Sequence, residues 1–304
     1  ILELPDRPYL LADATSIFSR FIGFNGKFKF YSKKTPLSFL FDNRKTIFSL
    51  GYTYKFYSDN EEKSRQSFSF KVDQQLGNYR HLYIDYFLMP NYYLREYEDI
   101  DLQVINNDIE SSYYSCSFDN EKLGISYQHP LIEKKSKVKL GIFYEKQLFN
   151  EHFTEYDLKI HGEFIQFYFS RKNHSFYIYI DSQNANNYTY LDGNYSTRFM
   201  DRGYKQNRLK FSFTQIINKE VSLGTIMDIY KRKNLSMITD DELHYDRKHK
   251  DATLSFWYKY KKHKIILSSR NRISSSPFTW VAELKTFKRY ILTYTYSFDT
   301  IKYN

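Results

Sequence analysis

Residues Arg289–Asp299, R-Y-I-L-T-Y-T-Y-S-F-D, decide the fold that we expect for this chain. Because successive side chains of an extended chain point to opposite faces, residues of one parity share a face. One parity of this segment is small and polar apart from Ile291. The other parity is aromatic or aliphatic and comprises Tyr290, Leu292, Tyr294, Tyr296 and Phe298. The pattern predicts a β-strand with one apolar face.

The length of this segment matches a strand that crosses a membrane, since a tilted strand needs roughly 9 to 11 residues to span a bilayer. It resembles the closing strand of bacterial outer-membrane β-barrels, which typically ends in an aromatic residue, here Phe298. Six residues follow Phe298 in this chain. The resemblance is to an architecture rather than to one family, and it implies a transmembrane β-barrel in a Gram-negative outer membrane.

The composition agrees with that architecture. Aromatic residues make up 20% of the chain and charged residues 26%, and no run of about 18 apolar residues predicts a helical membrane span. A membrane protein of this composition must therefore be a barrel, in which only every second residue of a strand meets lipid. The many Tyr side chains suit the two membrane interfaces.

Charge and cysteine content restrict the partners. The formal net charge is +10, but basic and acidic residues are mixed along the chain, without a basic helix or a spacing typical of RNA-binding or zinc-finger modules. We therefore expect no nucleic acid partner and expect contact with outer-membrane lipid and lipopolysaccharide. The single cysteine, Cys116, lies in a predicted strand, so a disulfide within the chain and a thiolate zinc site are excluded. No secretory signal is visible at Ile1, which suggests a mature or trimmed form.

The alternating pattern divides the chain into two regions: 1–24, a periplasmic lead-in or plug segment, and 25–304, the barrel. The fold class is all-β, a transmembrane antiparallel up-and-down β-barrel of about 14 strands, within a range of roughly 12 to 16. Sixteen strands would put long connections on both sides of the membrane, and we expect the extra strand to be an error within 132–170 or 184–204. A change of phase between Ile160 and Ile165 predicts a bulge near Gly162.

Three long connections, 89–109, 184–204 and 231–250, are the predicted binding surface. Two of them are rich in Tyr, which supplies contact area at low entropic cost. A protein partner is expected there or in the periplasm. The candidate binding residues are Tyr92, Tyr93, Arg95, Tyr97, Tyr188 and Tyr190.

Charged residues of the polar parity are predicted to face the barrel lumen, because a charge on the lipid face costs roughly 2 to 4 kcal/mol at the midplane. There they either pair across strands and fill the interior or line an aqueous passage. These candidates are Lys71, Asp73, Asp85, Lys137, Lys139, Glu145, Lys159, Asp181, Arg208, Lys210, Asp228, Lys259, Arg270, Glu283 and Lys285.

Catalytic and metal motifs are weak. His174, Ser182 and Asn184 form the best nucleophile-and-base set, but His174 and Ser182 are eight residues apart on one strand, about 26 Å, and do not meet. The loop histidines His244 and His249 match no metal-binding spacing. No phosphate-binding, dinucleotide or hydrolase motif is present. We therefore expect no enzyme, no cofactor and no metal.

The leading hypothesis is an outer-membrane channel or a transport or export component, as part of a membrane protein complex or alone. A closed structural barrel whose long loops bind a surface protein, lipoprotein or filament is the first alternative. An outer-membrane enzyme acting on lipid or glycan is the second. Conductance distinguishes the first two.

Overall fold

The computed structural model describes residues 10–11, 21–32, 44–58, 61–99, 112–132, 135–187, 201–241, 244–277 and 286–296. These residues are almost entirely β-strand, apart from two short 3₁₀ turns at Glu61–Lys63 and Glu151–Tyr156. The predicted all-β fold class is thus confirmed.

The strands alternate with connections along the whole described chain. Their bounds are Leu10–Leu11 (β1), Phe21–Ser32 (β2), Thr46–Tyr57 (β3), Arg65–Gly77 (β4), Arg80–Asp99 (β5), Ser112–Ile132 (β6), Ser136–Phe149 (β7), Leu158–Arg171 (β8), His174–Asn187 (β9), Tyr204–Ile216 (β10), Val221–Asn234 (β11), Lys248–Tyr260 (β12), His263–Ser275 (β13) and Phe287–Tyr296 (β14).

All strands belong to one 14-stranded sheet in which each strand from β2 to β14 pairs with its sequence neighbours. Every one of these pairs is antiparallel, as an up-and-down meander requires. The short strand β1 pairs with β5 instead. Within the described residues no pairing joins β14 to β2, so the sheet is open between these two edge strands.

The connections alternate between the two ends of the sheet, and all but one of the connections at the first end are short. One end carries the tight turns 78–79, 133–135, 172–173, 217–220 and 261–262, together with 33–45. The other end carries the connections 58–64, 100–111, 150–157, 188–203, 235–247 and 276–286. The consistent sidedness expected of about 14 strands is therefore present. We refer to these as the short-turn end and the long-connection end.

The predicted extra strand lies elsewhere than expected. The segments 114–118 and 123–127, which a count of sixteen strands treats as separate, are one continuous strand, β6. The segments 37–41 and 278–284, whose sequences also predict strands, lie outside the described residues, as does Phe298. Strand β2 begins at Phe21, just before the predicted domain boundary at 25.

The predicted loop 89–109 is wrong over its first half, because β5 continues to Asp99. The register slips between Met89 and Tyr92, where Pro90 and Asn91 stand opposite a single residue of β6. Proline has no N–H for the ladder, and Asn91 adopts a left-handed φ of 48°. Pro90-Asn91 therefore marks a β-bulge rather than the start of a loop.

The predicted bulge near Gly162 is also wrong, since β8 pairs with β7 and β9 in unbroken register. Gly162 is the cross-strand partner of Phe143, and Gly141 is the partner of Phe164. A Cβ at Gly162 would meet Phe143 Cζ at 2.6 Å, and one at Gly141 would meet Phe164 Cζ at 2.5 Å. The two glycines thus leave room for two phenylalanine rings on one face.

The two faces of the sheet differ in chemistry. Cross-strand partners share a face, and the face that holds Leu50, Phe70 and Tyr86 is apolar over most of its middle. The face that holds Lys71, Asp85 and Lys122 is charged. We call these the outer and the inner face.

The edge strands β2 and β14 run in the same direction, from the long-connection end to the short-turn end. Direct pairing between them would be parallel. An antiparallel closure of the sheet requires an odd number of strands between these edges.

Candidate functional site: the charged inner face

The inner face is concave along its first half. Side chains from strands as far apart as β3 and β9 line one cavity of about 330 Å³. Its inner-face lining includes Ser49, Lys71, Lys122, Phe164 and Tyr179. Residues of seven successive strands, β3 to β9, therefore line one shared cavity, which is the arrangement that the sequence predicts for a lumen.

Cross-strand ion pairs run along this face. Each joins neighbouring strands, and most of their groups are half-buried. The pairs are Lys71–Asp85 (3.4 Å), His81–Asp73 (2.7 Å), Lys122–Glu145 (2.9 Å), Arg208–Asp228 (2.8 Å), Lys210–Asp228 (3.7 Å), Arg270–Asp251 (2.7 Å) and Arg272–Asp251 (3.1 Å). Most of the predicted lumen charges are thus brought together in pairs.

Several inner-face lysines contact aromatic rings, and Lys71 does so in addition to its ion pair with Asp85. The ammonium groups of Lys71 and Lys139 lie 4.4 and 4.5 Å from the centre of the Tyr83 ring. Lys137 lies 5.3 Å from the Tyr168 ring, and Lys264 lies 5.0 Å from the Trp257 ring. The ring faces attract these cations but do not neutralise their charge, so the inner face keeps an excess of positive charge.

The remaining lumen candidates separate into three groups. Asp181 is buried on the inner face and accepts a hydrogen bond from Gln183 Nε2 at 3.0 Å. Lys259 is on the inner face opposite Lys264. Lys159 is on the outer face, opposite Lys146, because β8 has no bulge to change its phase. Glu283 and Lys285 lie outside the described residues.

Near the long-connection end the inner face becomes apolar, which the sequence analysis missed. Cys116, Phe118 and Phe149 form a buried cluster with Phe153 and Tyr156, which belong to the connection 150–157. A second buried cluster on the inner face contains Leu158 and Ile160 together with Phe143, Ala185 and Tyr204. The apparent phase change in β8 is therefore a change of environment: its first residues face this inner cluster, and its later ones face outward.

The connection 150–157 packs on this apolar region, and two further connections are joined to it by hydrogen bonds. We call the three together the cap: 150–157, 201–203 and 235–247, of which 242 and 243 are outside the described residues. Arg202 joins two of them, since its Nη1 donates to the Tyr156 carbonyl oxygen at 2.9 Å and its guanidinium lies 4.8 Å from the Tyr156 ring centre. The backbone N–H of Leu235 donates to Gly203 O at 2.8 Å. The cap is thus held by specific contacts and covers the inner face at one end.

A buried carboxylate organises the third connection of the cap. The Asp241 carboxylate accepts hydrogen bonds from the Asp201 N–H (3.0 Å), the Ser236 hydroxyl (3.0 Å) and the His244 N–H (3.1 Å). It also lies 2.9 Å from His244 Nδ1. Burial alone would raise the pKa of this carboxyl, but the hydrogen bonds and the charge of His244 outweigh burial and lower the pKa below its usual range.

The predicted loop-binding residues of 89–109 are strand residues. Tyr92 faces inward from β5, where its ring contacts Phe118 edge-on at 5.4 Å and its hydroxyl accepts a hydrogen bond from Arg65 at 3.0 Å. Tyr93, Arg95 and Tyr97 are also strand residues of β5. Tyr188 and Tyr190 lie outside the described residues. The predicted loop 231–250 shortens to 235–247.

A histidine other than His174 lies near Asn184. His161, on the neighbouring strand β8, has its Nε2 3.4 Å from Asn184 Nδ2 on the outer face. The register partner of Ser182 is Glu163, and within the described residues its hydroxyl makes no hydrogen bond to a histidine. Among the described residues the structure therefore brings a histidine to Asn184 but none to Ser182.

The described residues contain no cluster of three or more His, Cys, Asp or Glu side chains arranged to hold a metal ion. No helix among them is long and apolar enough to span a membrane.

Comparison with known proteins adds no family. The chain matches no protein-family model and no curated protein sequence. A proposal for its function therefore has to rest on the faces of the sheet and on the cap.

Proposed function

We propose that this chain forms a transmembrane β-barrel of a Gram-negative outer membrane and acts there as a channel or transport component. The observation that carries the proposal is the inverted chemistry of the sheet. Large apolar side chains are exposed on its outer face, including Phe28, Leu50, Ile142, Ile165, Ile180, Leu254, Leu267 and Leu292. The charges are collected on the concave inner face.

In a soluble protein, the apolar face of a sheet is covered by a second layer of strands or helices, and the polar face meets water. Within the described chain no layer covers the outer face. Lipid provides that cover, and the alternation of apolar-out and polar-in residues is the pattern of strands that cross a bilayer. Short turns at one end and long connections at the other also fit a barrel of this kind, with the long-connection end outside the cell.

The passage that we propose prefers anions. Lys137, Lys139, Lys259 and Lys264 face inward, and within the described residues none of them has a carboxylate at ion-pair distance. Unpaired charges of one sign on a pore wall favour the permeant ion of the opposite sign. The paired charges, in contrast, shape and fill the wall.

Planar-bilayer recording with the detergent-purified chain tests this function. We expect heat-modifiable gel migration, ohmic single-channel steps and a reversal potential of the anion-selective sign in a KCl gradient. Replacing Lys137 and Lys139 by Glu should move the reversal potential toward cation selectivity, whereas Lys172→Glu in a turn should not. A chain that neither inserts nor shows heat-modifiable migration would contradict the barrel itself.

The cap favours a second candidate, a closed structural barrel whose long connections bind a protein partner. Its buried contacts between 150–157, 201–203 and 235–247 cover the inner face at the long-connection end. A heat-modifiable, inserted chain without conductance would support this candidate. A conductance that appears only when Asp241 is replaced would show that the cap obstructs an existing passage.

A further inference from the structure

One region of the outer face is strongly basic. Lys205 on β10, Lys231 and Lys233 on β11, and Lys248 and Lys250 on β12 all point outward and are exposed. We call these five residues the lysine patch. They follow the apolar residues Leu209, Ile229 and Ala252 along the same strands, toward the long-connection end. The patch thus adjoins the edge of the apolar surface.

The lysines oppose one another in register. Lys233 stands directly between Lys205 and Lys248, and Lys231 stands opposite Lys250. Directly opposed residues of antiparallel strands have Cβ atoms about 5 Å apart, and like charges there destabilise the pair. The same end of the outer face holds a further opposed pair, Lys146 and Lys159.

Few carboxylates compensate this charge. Lys248 pairs with Asp246 at 3.1 Å. For the other four lysines of the patch, the described chain holds no carboxylate at ion-pair distance. Several close ammonium groups without internal partners are suited to a ligand that carries more than one phosphate, since each lysine near an anionic surface contributes about 1 kcal/mol to binding.

We propose that the lysine patch binds the phosphates of lipopolysaccharide at the membrane surface, with the acyl chains lying on the adjoining apolar belt. This inference rests on the proposed function, because it needs the outer face to meet lipid and the long-connection end to face outward. Lipopolysaccharide is the ligand because its phosphates lie at that interface and are multivalent. Phosphate groups at this position offset the repulsion between the opposed lysines.

Binding to purified lipopolysaccharide in zwitterionic detergent tests the patch. In one variant Lys205, Lys231, Lys233 and Lys250 are replaced by Gln. The matched control replaces four lysines by Gln that are exposed at the short-turn end: Lys135, Lys172, Lys219 and Lys261. Both variants therefore lose the same amount of positive charge. We expect the patch variant to lose affinity by roughly tenfold or more and the control to stay within about twofold of the unmodified chain.

The lipid itself supplies the second comparison, which needs no variant. The unmodified chain should bind dephosphorylated lipopolysaccharide and phosphatidylglycerol at least tenfold more weakly than intact lipopolysaccharide. Equal binding of phosphatidylglycerol, or equal losses in the two lysine variants, would overturn the proposal. Heat-modifiable migration and insertion into liposomes are measured on the same samples, so a chain that inserts but ignores lipopolysaccharide refutes only the patch, while one that does not insert refutes the barrel as well.

Discussion

At the scale of single residues, neighbours along one strand experience opposite environments. Lys210 faces inward, 3.7 Å from Asp228, while Phe211 faces outward between Ile178 and Met227. Asp228 also accepts a hydrogen bond from Arg208. The loss of Lys210 therefore leaves its partner paired, whereas a charge at position 211 would have no partner on the apolar face.

This contrast gives a direct test of which face meets lipid. We expect Phe211→Lys to reduce insertion into lipid vesicles strongly, since a lysine on the lipid face costs roughly 2 to 4 kcal/mol near the midplane. Lys210→Leu should insert nearly as well as the unmodified chain. The fraction of heat-modifiable protein after refolding into vesicles measures both, and the reverse ranking would invert our assignment of the faces.

Asp241 allows a second prediction at this scale. Asp241→Asn should lower the opening free energy of 235–247 by about 1–3 kcal/mol, because the buried network loses its charged acceptor. Asp246→Asn, in the same connection but exposed, is the control and should change little. Hydrogen exchange of the amides of Asp201 and His244 reports the opening.

The network also predicts a pH dependence. The pKa of Asp241 is lowered in the folded chain, so its stabilising contribution is fully present above its unfolded value near 4. The contribution is lost as the pH falls through the folded pKa. Protection of the cap should therefore decline in acid below about pH 4 in the unmodified chain and be less sensitive to acid in Asp241→Asn. An unchanged acid response in that variant would assign it to other groups.

At the scale of elements, the glycine positions explain how two strands pack at close range. Gly162 and Gly124 are both inner-face glycines in strand interiors, but only Gly162 lies beneath a ring. A Cβ at Gly124 would meet no atom closer than 3.8 Å. The two positions are therefore a matched pair with different space around them.

We expect Gly162→Ala to lower the free energy of unfolding by about 1–3 kcal/mol, because Phe143 and the Ser182 carbonyl oxygen would have to move. Gly124→Ala should be neutral or slightly stabilising, since glycine weakens a strand interior. Urea unfolding in detergent, followed by gel mobility, measures both variants. Equal losses would show that the close contact of Phe143 with Gly162 does not limit packing.

The sequence predicted the strands well where alternation was uninterrupted, as in β3, β4 and β10. It failed where the environment of a residue depends on contacts with residues that are distant in the sequence. The apolar start of β8 faces inward, where Leu158 and Ile160 are buried with residues of β7, β9 and β10, and those contacts have no signal in local periodicity. Pro90-Asn91 reads locally as a loop start, and only pairing with β6 makes it a bulge. The charged inner face was largely predictable, while the cap and the position of Lys159 were not.

At the scale of the whole molecule, the described chain is one curved sheet with two chemically distinct faces and two distinct ends. Cys116 is its single cysteine and is 0% exposed. Met237 in a long connection is 86% exposed, and Lys219 lies in an exposed short turn at the other end. The native thiol is thus shielded from reagents, and Met237 and Lys219 are exposed positions for labelling at the two ends of the sheet.

Single-cysteine labelling should reveal the orientation. In intact cells, a membrane-impermeant maleimide should label Met237→Cys, while Lys219→Cys should react only after the outer membrane is permeabilised. The unmodified chain is the control and should remain unlabelled. Labelling of Lys219→Cys from outside, with Met237→Cys protected, would reverse the orientation and remove the lysine patch from the outer leaflet.

The neighbour-by-neighbour strand order has a consequence for the way the chain folds. Each pair from β2 to β14 closes only a small loop, whose entropic cost is low, so hairpins can add to the sheet one at a time. The pairing of Leu10 with Glu98 instead closes a much longer loop, which costs more chain entropy. We expect it to form late: in refolding with pulsed exchange labelling, amides of β3 and β4 should gain protection before those of β1, and simultaneous protection would indicate a single concerted step.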